Sequence, residues 1–379
     1  MIKSDFIIIG AGIAGASVAY ELSKHGKAII LEAESQPGYH TTGRSAAIFE
    51  TTYGGGDPII RAIVLASGKF LRNPPDGFTE HDLLHPRDMI YIAPKSDREK
   101  LTQAYEKLRK QSDNVRLIEK QEINKLIPIL NENYGDLAFI MENEIADIDV
   151  HALHEGYLKG ARSNGSDLHT NSKVVEIDKT GDQWIIKTES GEFSAPIIIN
   201  AAGAWVDEIA QLAGVKEIGI EPLRRTVITI DAPAGIDSID HWPMINELAE
   251  VFYFKPDAGK VLISPCDKTL SEPCDAQPEE IDVAYAAHYF QECTDIEVRK
   301  IDHKWAGLRN RTKDGYPAIG YDPEAEGFFW LAGQEGIGIM TSPALSRIAA
   351  SMVLGHDIPD DIKEIGIDDA GLNVARFLK

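Results

Sequence analysis

Three glycines and one acid near the start of the chain have the spacing of a phosphate-binding device. Gly10-Ala11-Gly12-Ile13-Ala14-Gly15 reads GxGxxG, and Glu32 stands where a carboxylate can accept hydrogen bonds from adenosine ribose hydroxyls. Gly10 permits a tight turn, Gly12 lets the backbone approach a pyrophosphate, and Gly15 lets helix and strand pack closely. The phosphates would then rest on the amides of a helix N-terminus. A carboxylate at Glu32 would repel a 2′-phosphate, which disfavours NADP. A second glycine set, Gly333-Gln334-Glu335-Gly336-Ile337-Gly338, aims another helix start at a ligand. Tyr253 lies in Phe252-Tyr253-Phe254, where strand alternation turns its neighbours to the opposite face. His151 and His154 read as helix-surface residues, because no third metal ligand lies nearby.

The elements that must hold these residues are legible around them. Phe6-Ile7-Ile8-Ile9 and Ala28-Ile29-Ile30-Leu31 are short apolar runs of the parallel-sheet kind, joined by a helix over 16–25 with Gly26 as its terminator. Residues 35–56 read as a long loop rich in Gly, Thr and Ser, of the sort that often carries function. Asp97 to Gln111 reads as an exposed helix with Leu101, Tyr105 and Leu108 as its buried stripe, and Asp149 as the N-cap of the next helix. Ile197-Ile198-Ile199-Asn200 is a further parallel strand. From Glu221 to about Asp302 the pattern becomes a mostly antiparallel sheet with a helix near Ile281–Glu292. Phe328-Phe329-Trp330-Leu331-Ala332 is a last buried strand, followed by a small-residue helix from Pro343 to about Gly355. Dinucleotide-type elements therefore recur at both ends and in the middle, which implies a cofactor domain interrupted by a substrate domain.

At 379 residues the chain has length for two or three domains. Its net charge of −22 works against binding a nucleic-acid backbone or an anionic lipid surface. Cys266, Cys274 and Cys293 are odd in number and lack CxxC spacing, which argues against a structural zinc site or an oxidising compartment. No apolar run reaches the ~18–20 residues of a membrane span, and the N-terminus shows no signal peptide. The expectation is a cytoplasmic protein, or one peripheral to the inner membrane.

A cofactor domain completed by the C-terminus is hard to reconcile with a simple NAD dehydrogenase. Taken together, the pieces resemble the FAD-dependent D-amino acid oxidase family. The resemblance spans nearly the whole chain: GAGIAG with Glu32, Thr42-Gly43-Arg44-Ser45-Ala46, Asn200-Ala201-Ala202-Gly203-Ala204-Trp205, Trp305-Ala306-Gly307-Leu308-Arg309 leading to Asp314-Gly315-Tyr316-Pro317, and Gly333 to Gly338. Within the family, QPGYHTTGRSAA, HEGYLKG, HWPM and FYFKPDAG look most like bacterial D-arginine dehydrogenases. The fold implied is α/β, with a discontinuous Rossmann-type FAD-binding domain (1–85, 145–220 and 308–379). The α+β substrate-binding domain (86–144 and 221–307) carries the mostly antiparallel sheet.

What the resemblance implies for individual residues follows. The reaction is hydride transfer from the α-carbon of a D-amino acid to flavin N5, the imino acid then hydrolysing to an oxo acid and ammonia. Alternatives on the same scaffold are a glycine/sarcosine-type amine oxidase and a hydroxy acid dehydrogenase. Arg309 is the carboxylate clamp, a task suited to a planar guanidinium. Arg225 is a second carboxylate contact, and alternation admits only one of Arg224 and Arg225. Tyr253 is a hydroxyl donor and Tyr53 a pocket-closing residue. The substrate side chain would meet Ile48, Asp88, Gly336 and Ile337; Ile48 and Ile337 replace a polar and an aromatic residue and suggest an apolar pocket. Non-covalent FAD would contact Gly10, Gly12, Ile13, Ala14, Gly15, Glu32 and Ala33, then Thr42, Arg44, Ser45, Ala46 and Ala47. Further contacts fall on Val174, Ala202, Gly203, Trp205, Gly307, Arg309, Gly333, Gly336, Gly338, Ile339, Met340 and Thr341. Lys255 is expected to be solvated or distant from the cofactor, so the acceptor leans towards a quinone or dye rather than oxygen.

Overall fold

Phe6–Ile9 is apolar at every position, so the strand must be covered on both faces. In the computed structural model, which describes residues 1–236, 238–367 and 371–378, it lies near the middle of a six-stranded sheet. The order is Asp167–His169, Ala28–Leu31, Phe6–Ile9, Ile197–Asn200, Phe328–Ala332, Ala318–Tyr321, all parallel except the last. Alternation splits this strand between two cores. Phe6 and Ile8 pack under the helices Ile13–Leu22, Pro58–Arg72, Val150–Ser163 and Gly338–Val353. Ile7 and Ile9 pack against a four-stranded sheet, which includes Val174–Thr180 and Gln183–Thr188, and the helix Val206–Leu212.

The second large layer is a ten-stranded sheet. Its order runs Gln334–Glu335, His303–Arg311, Glu221–Asp231, Lys260–Ser264, Tyr253–Asp257, Met244–Glu247, Met89–Ile92, Leu137–Met141, Val115–Glu119, with Thr269–Leu270 beside Glu221–Asp231. One pair is parallel, Met244–Glu247 with Met89–Ile92, and the other neighbours are antiparallel. The α/β class with a mostly antiparallel second sheet is therefore as the sequence implies. Ile228, Ile230, Phe254 and Ile263 face the helix Glu280–Thr294, which leaves the alternate side chains of these strands, Arg225, Val227, Tyr253 and Ser264 among them, facing the first layer.

Three elements differ from the sequence reading. The first helix spans Ile13–Leu22 rather than 16–25 and ends at Ser23, short of Gly26. The segment 35–56 is not loop throughout: Ile48–Glu50 pairs with Ile145–Ile148, which also pairs with Leu84–Pro86. Three residues are too few for periodicity to reveal, and a partner almost a hundred residues away creates the strand. The last helix begins at Gly338 rather than Pro343. Pro343 lacks the N–H that would bond the Ile339 carbonyl, and the Ser342 hydroxyl donates to that carbonyl instead at 3.0 Å. No helix among the described residues is long and apolar enough to cross a membrane.

Candidate active site

A cavity of about 510 Å³ opens where the parallel strands end, between the two layers. Two helix N-termini face it, those of Ile13–Leu22 and Gly338–Val353, and neither is capped by the side chain of its own N-cap residue, Gly12 or Ile337. Their backbone N–H groups and dipoles favour an anionic ligand. Gly10 holds φ +98°, and a Cβ there would lie 2.7 Å from the Ala201 carbonyl oxygen, so the turn can close only on glycine. Thr42 Oγ1 accepts from the Ile13 amide at 2.9 Å and fixes the downstream loop over the helix start. Glu32 is buried; its carboxylate accepts from the Ala11 and Glu34 amides at 2.8 and 2.9 Å. Those two bonds leave acceptor capacity on both oxygens for a ribose. The two helix starts, the glycine cradle and this acid fit a dinucleotide such as FAD.

Of the cofactor residues named from sequence, Gly10, Gly12, Ile13, Ala14, Glu32, Ala33, Thr42, Arg44, Ser45, Ala46 and Val174 line the cavity. Ala202, Gly203, Trp205, Gly307, Arg309, Gly333, Gly336, Gly338 and Ile339 line it too. Gly15, Ala47, Met340 and Thr341 do not. A Cβ on Gly15 would overlap the Gly10 carbonyl oxygen, so this glycine serves helix–strand packing. The Ala47 carbonyl accepts from the Ile148 amide, Met340 is buried, and Thr341 Oγ1 donates to the Ile337 carbonyl at 2.7 Å.

Arg44 ties the loop to the second layer. Its guanidinium donates to the Ala276 and Ala306 carbonyls at 3.0 Å each and pairs with Asp275, while its own carbonyl accepts from Trp305 Nε1 at 3.1 Å. His154 is not a surface residue. It is buried, with burial pushing its pKa down, and Nε2 lies 2.8 Å from the Ala11 carbonyl. As a neutral ring donating from Nε2 it holds the glycine turn from beneath. A helix-surface reading missed it because its partner lies in a different layer.

Adjacent strands assemble the other end of the cavity. In the antiparallel register, Arg225 opposes Gly307 and Leu223 opposes Arg309, which puts Arg225 and Arg309 diagonally on one face. Arg224 points away and pairs with Glu279. Neither Arg225 nor Arg309 has an ion-pair partner among the described residues, and the buried Arg225 Nε makes no hydrogen bond. Tyr253 opposes Ser264 on the neighbouring strands and lines the same face. Burial pushes the Tyr253 hydroxyl up, against the pull of Arg309 and Arg225. Burial does the same at Tyr53, with Arg309 pulling down and Glu335 and Glu50 pushing up. Burial works against the Arg309 charge, but Tyr53, Tyr253, Cys266 and Glu335 together hold its pKa above the ordinary value. The arrangement is two guanidinium groups without a carboxylate partner among the described residues, with the Tyr253 phenol on the same face, a device for one carboxylate; Tyr53 feels the arginines' charge but does not line the cavity.

The residues assigned to the substrate side chain are dispersed. Gly336 lines the cavity, and a Cβ on it would come within 2.9 Å of Arg309 Cζ. Ile48 packs beside Tyr253 in the apolar cluster next to the cavity, and Tyr53 opens a short helix, Tyr53–Gly56. Ile337 is buried in the helix-side core. Asp88 lines a different cleft, with Arg87, Asn143, Glu144, His241 and Trp242. The strand begins only at Met89, and the Asp88 carbonyl is held by the Met244 amide at the sheet's outer end. Lys255 is buried rather than solvated, 2.6 Å from Asp147, which also pairs with Arg87.

A family model described as "DAO: FAD dependent oxidoreductase" matches residues 5–352. The glycine oxidase of Bacillus licheniformis is 26% identical over 372 residues, covering 94% of each chain. The crystal structure of glycine oxidase from Geobacillus kaustophilus matches with a TM-score of 0.84 and 22% identity over 99% of both chains. Dithionite-reduced L-α-glycerophosphate oxidase from Mycoplasma pneumoniae, with FAD bound, matches at 0.81 and 20%, over 93% of this chain and 95% of that one. These likenesses point to glycine oxidases rather than to the D-arginine dehydrogenases suggested by short segments of the sequence.

Proposed function

The chain belongs to the DAO family of FAD-dependent oxidoreductases, and from that premise we propose that it oxidises a small amino acid at the carbon bearing the amine. The observation that carries the reading is the pair Arg225 and Arg309, unpartnered and on one face of adjacent strands. Buried guanidinium groups without a carboxylate are held ready for one. The glycine/sarcosine type leads, supported by the glycine oxidase likeness and by the apolar Ile48 beside the pocket. Oxidation of D-amino acids is the second reading, and the same clamp supports it.

In this reading residues 1–85, 145–220 and 308–379 bind FAD non-covalently, and 86–144 with 221–307 bind the substrate. Bound FAD supplies the two-electron acceptor for the hydrogen on the α-carbon. The remaining work falls to the chain. Glu32 takes the ribose, the amides at Gly12–Ala14 take the pyrophosphate, and the helix start at Gly338 stabilises negative charge on the flavin ring. Arg309 and Arg225 grip the carboxylate while the Tyr53 and Tyr253 hydroxyls donate to it. Both hydroxyls keep their protons because burial holds their pKa up. This clamp turns the α-carbon towards the flavin and excludes water. Oxygen, as the glycine oxidase likeness suggests, or a quinone would be the final acceptor.

The test is the visible spectrum of the purified protein, followed without air during additions of glycine, sarcosine, D- and L-amino acids and hydroxy acids. Bleaching by glycine, sarcosine or D-amino acids supports the reading, and the rate of reoxidation on admitting air separates an oxidase from a dehydrogenase. Bleaching by hydroxy acids alone overturns it.

A further inference from the structure

We propose that Glu50 receives the ammonium group of the substrate, opposite the arginine pair that receives its carboxylate. The inference rests on the amino acid reading above and deepens it. Glu50 is 6% exposed and ends the strand Ile48–Glu50. Its two hydrogen bonds both arrive on Oε1, from the Tyr91 hydroxyl at 3.1 Å and the Thr52 hydroxyl at 3.4 Å. Oε2 receives none, and no Lys, Arg or His pairs with it among the described residues. Ionising a buried carboxylate that lacks a cation costs several kcal/mol of desolvation, so its charged form calls for a cationic partner that arrives from outside.

The position fits such a partner. Strand alternation places Glu50 on the face of Ile48 and turns Phe49 into the helix core. Ile48 packs in the cluster that also holds Tyr253 and Tyr91. The Tyr53 hydroxyl is within the field of both sets of charges: Arg309 and Arg225 pull its pKa down, and Glu50 pushes it up. The titratable groups facing Glu50 are Tyr91 from the strand Met89–Ile92, Tyr53 from the helical turn, and Glu250 from the turn after Met244–Glu247; none is a cation. Burial pushes the Glu50 carboxyl up to about 7, with Tyr91 and Thr52 pulling it down and Glu250 pushing it up. An arriving ammonium would ionise it.

Affinities for three carboxylates, measured by calorimetry on anaerobic holoenzyme, test this without turnover. Isobutyrate carries no amine; α-aminoisobutyrate carries one but has no hydrogen on its α-carbon; δ-aminovalerate carries its amine at the far end. The wild type is expected to prefer one of the amines to isobutyrate. Glu50→Gln should lose that preference by roughly tenfold or more, with isobutyrate unchanged. Which amine is lost assigns the α or the distal nitrogen. A preference retained by Glu50→Gln, or absent from the wild type, overturns the proposal. Should Glu50→Gln not hold flavin, Tyr91→Phe decides: the pH at which the preference appears should move up, and no movement overturns the proposal. Failure of the wider functional reading shows separately, as a flavin that no amino acid bleaches although the binding preference shifts.

Discussion

Glu50 has a thermodynamic signature of its own. Its carboxyl is raised from the usual range to about 7 by burial, so between about pH 4.5 and 7 the folded chain binds more protons than the unfolded one. Stability from this group is complete at low pH and falls as pH rises through that window. Glu50→Gln removes the titration. Urea unfolding of the apoprotein should find the variant more stable than wild type at pH 8, by up to roughly 3 kcal/mol, with the gap closing near pH 4. Arg309 should behave differently, because in the proposed reading its partner is the substrate carboxylate. Arg309→Ala should lower kcat/KM by about 100-fold or more, in line with the roughly 2–5 kcal/mol lost on truncating one side of a buried charge pair. Steady-state kinetics with the best substrate, on protein saturated with FAD, checks this. The sequence displayed Arg309 and Tyr253 through resemblance and alternation. It did not display Glu50 or His154, which look like surface residues until a partner from another element covers them.

Among the elements, the glycine turn and the Arg44 loop have separate jobs. Gly15→Ala places a Cβ on the Gly10 carbonyl and must push the helix Ile13–Leu22 away from its strand. A lower Tm and loss of the flavin spectrum are expected together, since in the proposed reading the same helix start holds the phosphates. Arg44→Met removes the bonds to Ala276, Ala306 and Asp275 but leaves the main-chain bond from Trp305. The fold should persist, with Tm within a few degrees of wild type, while FAD dissociates faster in a dilution assay. The boundaries of these elements were legible wherever caps or apolar runs marked them. Asp149 does cap its helix, accepting from the Ala152 amide at 2.8 Å. The strand Ile48–Glu50 carried no such mark, because a three-residue strand owes its existence to its partner.

For the whole molecule, the cavity lies between layers that come from distant parts of the chain. Strands at Phe6, Ile197 and Phe328 end at one cavity, and the strand His303–Arg311 of the other sheet closes it. Bound FAD should therefore stabilise the whole fold, with Tm rising as FAD is added to apoprotein, by about 2.7 kcal/mol at a hundredfold excess over Kd. The sequence alone determined the parallel strands, the phosphate-binding turn, the acid at Glu32 and the antiparallel second sheet. These follow from local rules: side-chain period, glycine at positive φ, and helix capping. Only the tertiary structure decided that Arg225 and Arg309 share a face while Asp88 leaves the site, that Lys255 is paired with Asp147, and that Glu50 is buried without a cation. Those outcomes depend on register and on which layer covers each residue, and both are set by contacts between segments far apart in the chain.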